Sequence, residues 1–245
     1  MRSKAAILAL VLGACTTWSD VTLPPVSVVE LARDPEVTRL AAGMPSGEYA
    51  LDARHTSVLW RVRHWGLSPY TGRFDAVSGQ LVFNAANPAA SAVSVRIPLA
   101  SVSTGILNRE GQRAFDHDIA AYLGADANPD IVFESRSIEL TSATTGRING
   151  DLSFNGQTHP VTLDAVFEGG RVIPTNNRPT LAFTARTIFR RSQWLEGTPP
   201  LHNSAAPGEE IEIIITAEFV RPAAQQPQAQ PAPAQPSAAP QPPSR

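Results

Sequence analysis

The chain has 245 residues, a formal net charge of −2 at pH 7 and one cysteine. A lone cysteine excludes an intrachain disulfide. Basic residues scattered through a near-neutral chain exclude the concentrated positive face that nucleic acid requires.

Residues 1–14 read as a targeting segment. Arg2 and Lys4 make a charged start, Ala5 to Leu12 is an apolar run, and Leu12-Gly13-Ala14-Cys15 follows. The run falls well short of the about 20 apolar residues that span a bilayer. Leu-Gly-Ala-Cys resembles the lipobox of bacterial lipoproteins, which implies lipidation of Cys15 and an N-terminal anchor in a membrane; an ordinary secretory signal is the plainer alternative. One acyl chain holds a protein only marginally, and several hold it stably. Removing Arg2 and Lys4 leaves 18 of the 20 basic residues against 22 acidic ones, a net charge of about −4. Residues 15–47 are interrupted by proline and read as a tether, with one short helix around Glu36–Ala42.

From residue 48 to 221 the chain alternates apolar and polar residues with a period of two, the mark of strands with one wet and one dry face. Strands are expected at Ser57–Trp65, Gly72–Asn84, Ala92–Leu99, Asp130–Leu140 and Gly146–Asn155. Three more are expected at Pro160–Glu168, Thr180–Phe189 and Glu210–Val220. Gly79 suggests a bend or bulge, and Asn155-Gly156 a tight hairpin. Between Ile106 and Asn128 the alternation stops. Ala114, Phe115, Asp118, Ile119, Tyr122 and Leu123 recur there at helical spacing, which places one helix across the side or end of a barrel. Pro222 to Arg245 holds eight prolines among Ala, Gln and Ser. Without aromatic or β-branched residues it has nothing to pack, and it is expected to be disordered.

About eight strands with turns between them favour a closed antiparallel barrel or a sandwich. A barrel of that size either fills itself with side chains or holds one small ligand. The parity places Trp60, Val62, His64, Leu81, Phe83, Val95, Ile97, Phe133, Leu152, Phe154, Leu163, Phe167, Phe183, Ala185, Ile213 and Phe219 inside, and Arg61, Arg63 and Trp65 outside. Periodicity alone does not separate a filled barrel from a hollow one.

Catalytic patterns are weak. His55 and His64 have opposite parity, so one continuous strand could not bring both to a metal, and no other ligand-spaced set suggests zinc. His55 is expected to satisfy backbone groups at a turn and His64 to be a hydrogen-bonded core residue. Asp116-His117-Asp118 reads as the solvated face of the helix. There is no Gly-x-Ser-x-Gly elbow and no glycine-rich phosphate loop. No catalytic residue, metal or cofactor is assigned.

Several segments in order resemble the YceI-like proteins, a bacterial group named for lipid or polyisoprenoid binding. Tyr49-x-Leu51-Asp52-x-x-His55-Thr56 resembles their opening Tyr-x-x-Asp-x-x-His-Ser, and His64 ahead of Gly72-Arg73-Phe74 their His followed by Gly-x-Phe. Ser101 to Gly105 resembles Ser-x-x-Thr, and Pro129 to Ser135 the Pro-x-x-x-Phe-x-Ser strand. Gly150 to Val161 is similar to their Gly-x-Leu-x-x-x-Gly-x-Thr-x-Pro-Val hairpin, and Ile188 to Trp194 to a turn ending in Trp or Phe. The chain departs from the pattern at Arg109-Glu110, at Gln112-Arg113-Ala114-Phe115 and at Phe189, around the helix and one rim.

The resemblance implies an all-β, extended, lipocalin-like antiparallel barrel with one inserted helix and an apolar tunnel. The tunnel would hold a polyisoprenoid, an isoprenoid quinone or a fatty-acid-like chain, with Phe74 joining the inward residues on its wall. It implies a non-catalytic carrier on the periplasmic side of the bacterial cell envelope, and allows for a homodimer. A lipid-modifying enzyme on the same scaffold, or a structural envelope protein with a filled barrel, are the competing readings.

Overall fold

The structure is a computed structural model, and it describes residues 43–195 and 208–223. The targeting segment, Cys15, most of the tether with its expected short helix, and nearly all of the proline-rich tail lie outside the described residues.

The strands are β1 (Gly47–Leu51), β2 (Ser57–His64), β3 (Ser68–Phe74), β4 (Ser78–Phe83), β5 (Ala92–Pro98) and β6 (Val102–Ser103). They continue as β7 (Asp130–Leu140), β8 (Thr145–Phe154), β9 (Gln157–Ile173), β10 (Arg178–Arg190) and β11 (Glu210–Val220). Helix α1 (Ala114–Tyr122) precedes β7, and the single turn α2 (Ser192–Leu195) follows β10. All pairings are antiparallel, and the order β1-β4-β5-β7-β8-β9-β10-β11 closes on itself because β1 also pairs with β11. That ring is the expected eight-stranded barrel. β2 continues the line of β1 along β11, β3 pairs with β2, and β6 pairs with β3. No helix among the described residues is long and apolar enough to cross a membrane.

The expected strand over Gly72–Asn84 is therefore two strands. The chain breaks at Asp75–Val77, where Asp75 N donates to Ser101 O rather than to a strand partner. Gly79 is no bulge: it pairs in register with Val95, and a Cβ there would stand 2.6 Å from Ser94 O. The register shifts fall instead between Ser135 and Ser137 and between Ala182 and Phe183. After the first of these the inward parity of β7 changes, from Ile131 and Phe133 to Ile138 and Leu140. The expected helical region reduces to α1.

Register fixes two ends. The β2–β3 tip, the end of β10 and the start of β11 share one end, since Ile211 faces Val62. The β8–β9 turn joins them, because Asn155 Nδ2 donates to Trp194 O at 2.9 Å. The start of β1, the β9–β10 turn and the end of β11 make the opposite end. Met44, Tyr49, Leu181 and Phe219 cluster there, with Tyr49 and Leu181 fully buried and Tyr49 OH donating to Pro45 O at 2.7 Å. Trp194, also fully buried, packs at the first end against Phe154, Phe189 and His159.

Two hairpins turn with both central residues at positive φ, the geometry that matches strand twist and favours Asn-Gly. At Asn155-Gly156 the angles are 49° and 72°, as the sequence suggests. At Trp65-Gly66 they are 55° and 71°, with Leu67 N donating to His64 O at 2.9 Å. A bulky residue in this region is an outlier. Trp65→Asn is expected to stabilise the barrel by about 1 kcal/mol through relief of the left-handed backbone. A thermal melt should rise by about 2–4 °C for a domain of this size, and an unchanged or lower melt would contradict the assignment.

Candidate ligand-binding cavity

The barrel encloses a cavity of about 800 Å³, partly open to solvent. The volume lies within the range of sites that take a small molecule or a cofactor. All of Trp60, Val62, His64, Phe74, Leu81, Phe83, Val95, Ile97, Phe133, Leu152, Phe154, Phe167, Phe183, Ala185, Ile213 and Phe219 stand on its wall. Many of them are only half-buried although they point inward: Trp60, Val62, Val95, Leu152, Phe167, Phe183 and Ile213. A side chain inside a filled barrel touches neighbours on all sides. Among the described residues these side chains border open space, and the barrel is hollow beside them.

The strands position this wall by simple alternation. On β11, Ile211, Ile213, Ile215, Ala217 and Phe219 line the cavity; on β10, Phe183, Ala185, Thr187 and Phe189 do. Trp60 lies flat across the neighbouring strand because its register partner is Gly72. A Cβ on Gly72 would come within 2.2 Å of the indole ring. Sequence parity missed the contribution of the helix. Phe115, Ile119, Tyr122 and Leu123 of α1 and its C-terminus close one side of the cavity. Their helical spacing was the available signal. Tyr70, on β3, was also missed; its ring stands 5.8 Å from that of Trp60.

His64 differs from expectation. It lies on the cavity wall but at the rim, exposed, with its ring 6.2 Å from Trp65 and 6.3 Å from Tyr70. As the last residue of β2, it has no layer of barrel beyond it to bury it. Arg63 and Trp65, expected outside, also reach the rim. The charged lining residues among those described, Arg63 and Arg191, both lie at this end. Arg191 Nη1 donates to Tyr122 OH at 3.0 Å, and Nη2 lies 3.6 Å from Glu209 Oε2. The opposite end of the wall carries Ala85, Pro88, Val93, Leu140, Ala143 and Thr144, with no charge. The cavity is thus apolar along its length and cationic at one end.

Two polar clusters lie outside the cavity. Asp116, expected on a solvated face, is buried: its Oδ1 accepts from Thr104 N at 2.9 Å and from the Thr104 hydroxyl. It ties α1 to the segment after β6. The other cluster joins Asp52, His55 and Glu218, whose potential ligand atoms lie within 4.8 Å of one another. His55 Nδ1 is 2.9 Å from Asp52 Oδ2 and 4.0 Å from Glu218 Oε2. Asp52 Oδ1 also accepts from Arg54 N, and Asp52 N donates to Glu218 O. These three could hold a cation, but the imidazole nitrogen nearest both carboxylates is already engaged by Asp52. The arrangement works as a hydrogen-bonded turn that sets the bend from β1 into β2. Parity arguments confined to one strand could not bring Glu218 of β11 into view.

The hydrogen bond to Asp52, with the Asp52 and Glu218 charges, raises the His55 pKa above its ordinary value. The same hydrogen bond lowers that of Asp52. A raised His pKa stabilises the fold below the unfolded His value and is lost as pH climbs through the folded one. A lowered Asp pKa does the reverse on the acid side. The pair therefore contributes between about pH 4 and pH 6.5 and fades outside that window. Asp52→Asn is expected to return the His55 titration, followed by NMR of the ring protons, towards its ordinary midpoint. A midpoint that does not move would contradict the assignment.

A family model described as the YceI-like domain matches residues 49–219. A UPF0312 protein of Ectopseudomonas mendocina (strain ymp) is 37% identical over 127 residues, 51% of this chain and 64% of the relative. The chain thus spans just under two thirds of that relative's length. A UPF0312 protein of Pseudomonas aeruginosa (strain LESB58) is 32% identical over 179 residues, covering 72% of this chain and 88% of the relative. Among solved structures, Burkholderia cenocepacia BcnA matches with a TM-score of 0.58 at 20% identity, over 69% of this chain and 98% of that one. At that identity the likeness shows the fold alone.

Proposed function

The chain belongs to the YceI-like domain family, and from that membership and the cavity we propose that it binds a long apolar lipid inside the barrel without transforming it. The observation that carries this reading is a hollow barrel of about 800 Å³ whose wall is mostly apolar, with its described charged residues at one end. Each CH₂ removed from water contributes about 0.8 kcal/mol. A prenyl or acyl chain of a dozen or more carbons therefore supplies about 10 kcal/mol gross, from which the cost of ordering the chain is subtracted. That term is large enough to hold a polyisoprenoid, an isoprenoid quinone or a fatty-acid-like chain without any contribution from its head group. Arg63 and Arg191 favour a polar or anionic end beside them, with the tail running towards Ala85 and Ala143. Among the described residues the titratable groups on the wall form no pair of nucleophile and base, which supports carriage over catalysis. The charged start, the short apolar run and Leu12-Gly13-Ala14-Cys15 support a place in the bacterial cell envelope, on the periplasmic side, anchored through acylated Cys15.

The test is organic extraction of the purified full chain, followed by mass spectrometry. A long-chain lipid at close to one molecule per barrel is expected. A folded protein that yields an empty extract and takes up no added lipid would overturn the reading in favour of a structural role. Conversion of an added lipid would make it an enzyme. Cys15→Ser should move the protein from the membrane fraction to the soluble one, and unchanged fractionation would remove the anchor from the proposal.

A further inference from the structure

One end of the barrel is built to stand against a surface. Of the eight large hydrophobic residues most exposed among those described, four lie in two neighbouring loops: Trp65 (55% exposed) and Leu67 (78%) at the β2–β3 tip, and Ile106 (46%) and Leu107 (57%) after β6. β6 runs antiparallel to β3 and so leads the chain back towards the β2–β3 tip. Trp65 and Ile106 both line the cavity. Large apolar side chains grouped on a rim mark a contact surface, whereas isolated ones do not. Trp65 is moreover held there at a φ of 55°, a conformation that asparagine or glycine adopts far more readily.

The charge at the β2–β3 tip suits an anionic partner, and Glu209 at the same end is taken up by Arg190 and Arg191. Residues Ser57–Phe74 contain Arg61, Arg63 and Arg73 and no acidic residue. Arg61 and Arg73 pair with Glu212 and Asp75. Arg63 instead donates to the backbone oxygen of Leu67 at 2.8 Å, which leaves its charge at the tip. The opposite end exposes Val82, Leu140 and Val172 singly, on β4, β7 and β9, which do not pair with one another. Its β7–β8 turn has one exposed apolar residue, Leu140, followed by Thr141, Ser142 and Thr145, whose hydroxyls bond to one another.

We propose that this rim docks on an anionic lipid bilayer, with Trp65, Leu67, Ile106 and Leu107 entering the head-group region and Arg63 meeting the phosphates. The inference rests on the lipid-carrier reading for its purpose, because a rim held against a bilayer brings lipid to the end of the cavity where Arg63 and Arg191 lie. Tryptophan suits such a boundary, being apolar in body and polar at its N–H. Cationic side chains add an attraction that salt screens.

The experiment uses the full chain carrying Cys15→Ser, so that no acyl chain can hold it to a membrane. Flotation with vesicles of phosphatidylcholine and phosphatidylglycerol is compared with flotation on phosphatidylcholine alone. Binding to the anionic vesicles that weakens with added salt is expected, and Trp65→Ser/Leu67→Ser should reduce it by at least about tenfold. Brominated lipid in the vesicles should quench part of the tryptophan emission, and that quenching should fall in Trp65→Phe. Val82→Ser/Val172→Ser, which removes exposed apolar side chains elsewhere on the barrel, should bind as the parent does. Absence of binding to anionic vesicles, or an equal loss in both double variants, would overturn the proposal. Lipid found in the cavity without vesicle binding defeats the docking surface and leaves the carrier standing. Vesicle binding with an empty barrel does the reverse.

Discussion

Trp194→Ala is expected to destabilise the barrel by about 3 kcal/mol, the low end of the range for removing a buried tryptophan. The side chain is fully buried and packs between Phe154, Phe189 and His159, with ring centroids 6.3, 4.8 and 5.0 Å away. Phe154 and Phe189 are themselves cavity wall, and α2 is too short to close over the gap. Collapse is therefore limited, and most of the lost volume stays as a void. One effect works the other way: Trp194 Nε1 is buried without a hydrogen-bond acceptor among the described residues. An orphaned donor costs about 1–3 kcal/mol, and its removal returns part of that, which places the net at the low end. The backbone anchor survives, since Asn155 and Gln157 donate to the carbonyl of Trp194. A thermal melt should fall by about 10 °C, at the 2–4 °C per kcal/mol of a domain this size. Trp194→Phe keeps much of the ring and loses the orphan, so its melt should stay within about 4 °C of the parent. Equal losses in both variants would mean that the indole is held by something other than packing.

Alternation carried most of the fold, because a strand with one wet and one dry face writes its orientation into every second residue. The inward parity of β10 and β11 could be read directly from Phe183, Ala185, Ile213 and Phe219, and the structure places each on the cavity wall. What alternation could not show was anything that depends on a partner. β1 and β6 are short, and only their pairing with β4, β11 and β3 makes them strands. The bulge near Arg136 leaves no local signature, yet it moves Ile138 and Leu140 to the inner face. His64 keeps its inward parity but ends its strand, so exposure overrides parity. Asp116 looks like a polar helix residue until Thr104, twelve positions away, is folded against it. Hollowness lies deepest of these: a filled and an empty barrel share one pattern, and only the half-buried state of inward Trp60, Phe167 and Ile213 separates them.

That distinction predicts the behaviour of Ala185→Trp. Ala185 faces the cavity between Phe183 and Thr187 on β10, with Ala165 and Ile215 as its register partners. Its small neighbour Ala165 leaves the middle of the wall recessed, and an indole there would project across the path of a chain. In a filled core such an insertion overpacks and costs typically about 1–3 kcal/mol. In the hollow barrel it meets open space and buries apolar surface that would otherwise face the cavity. The ligand-free variant should therefore melt within about 2 °C of the ligand-free parent, less than the shift that 1 kcal/mol produces. Lipid co-purifying with it should fall by at least about tenfold, which is about 1.4 kcal/mol of lost affinity. The full chain stripped by organic extraction and reloaded with a long-chain lipid provides both measurements on one sample. A large fall in melting temperature with lipid uptake unchanged would show that the space beside Ala185 is needed for packing and not for cargo. An unchanged melt with cargo excluded would place the lipid along the middle of the barrel, past Ala185 on β10.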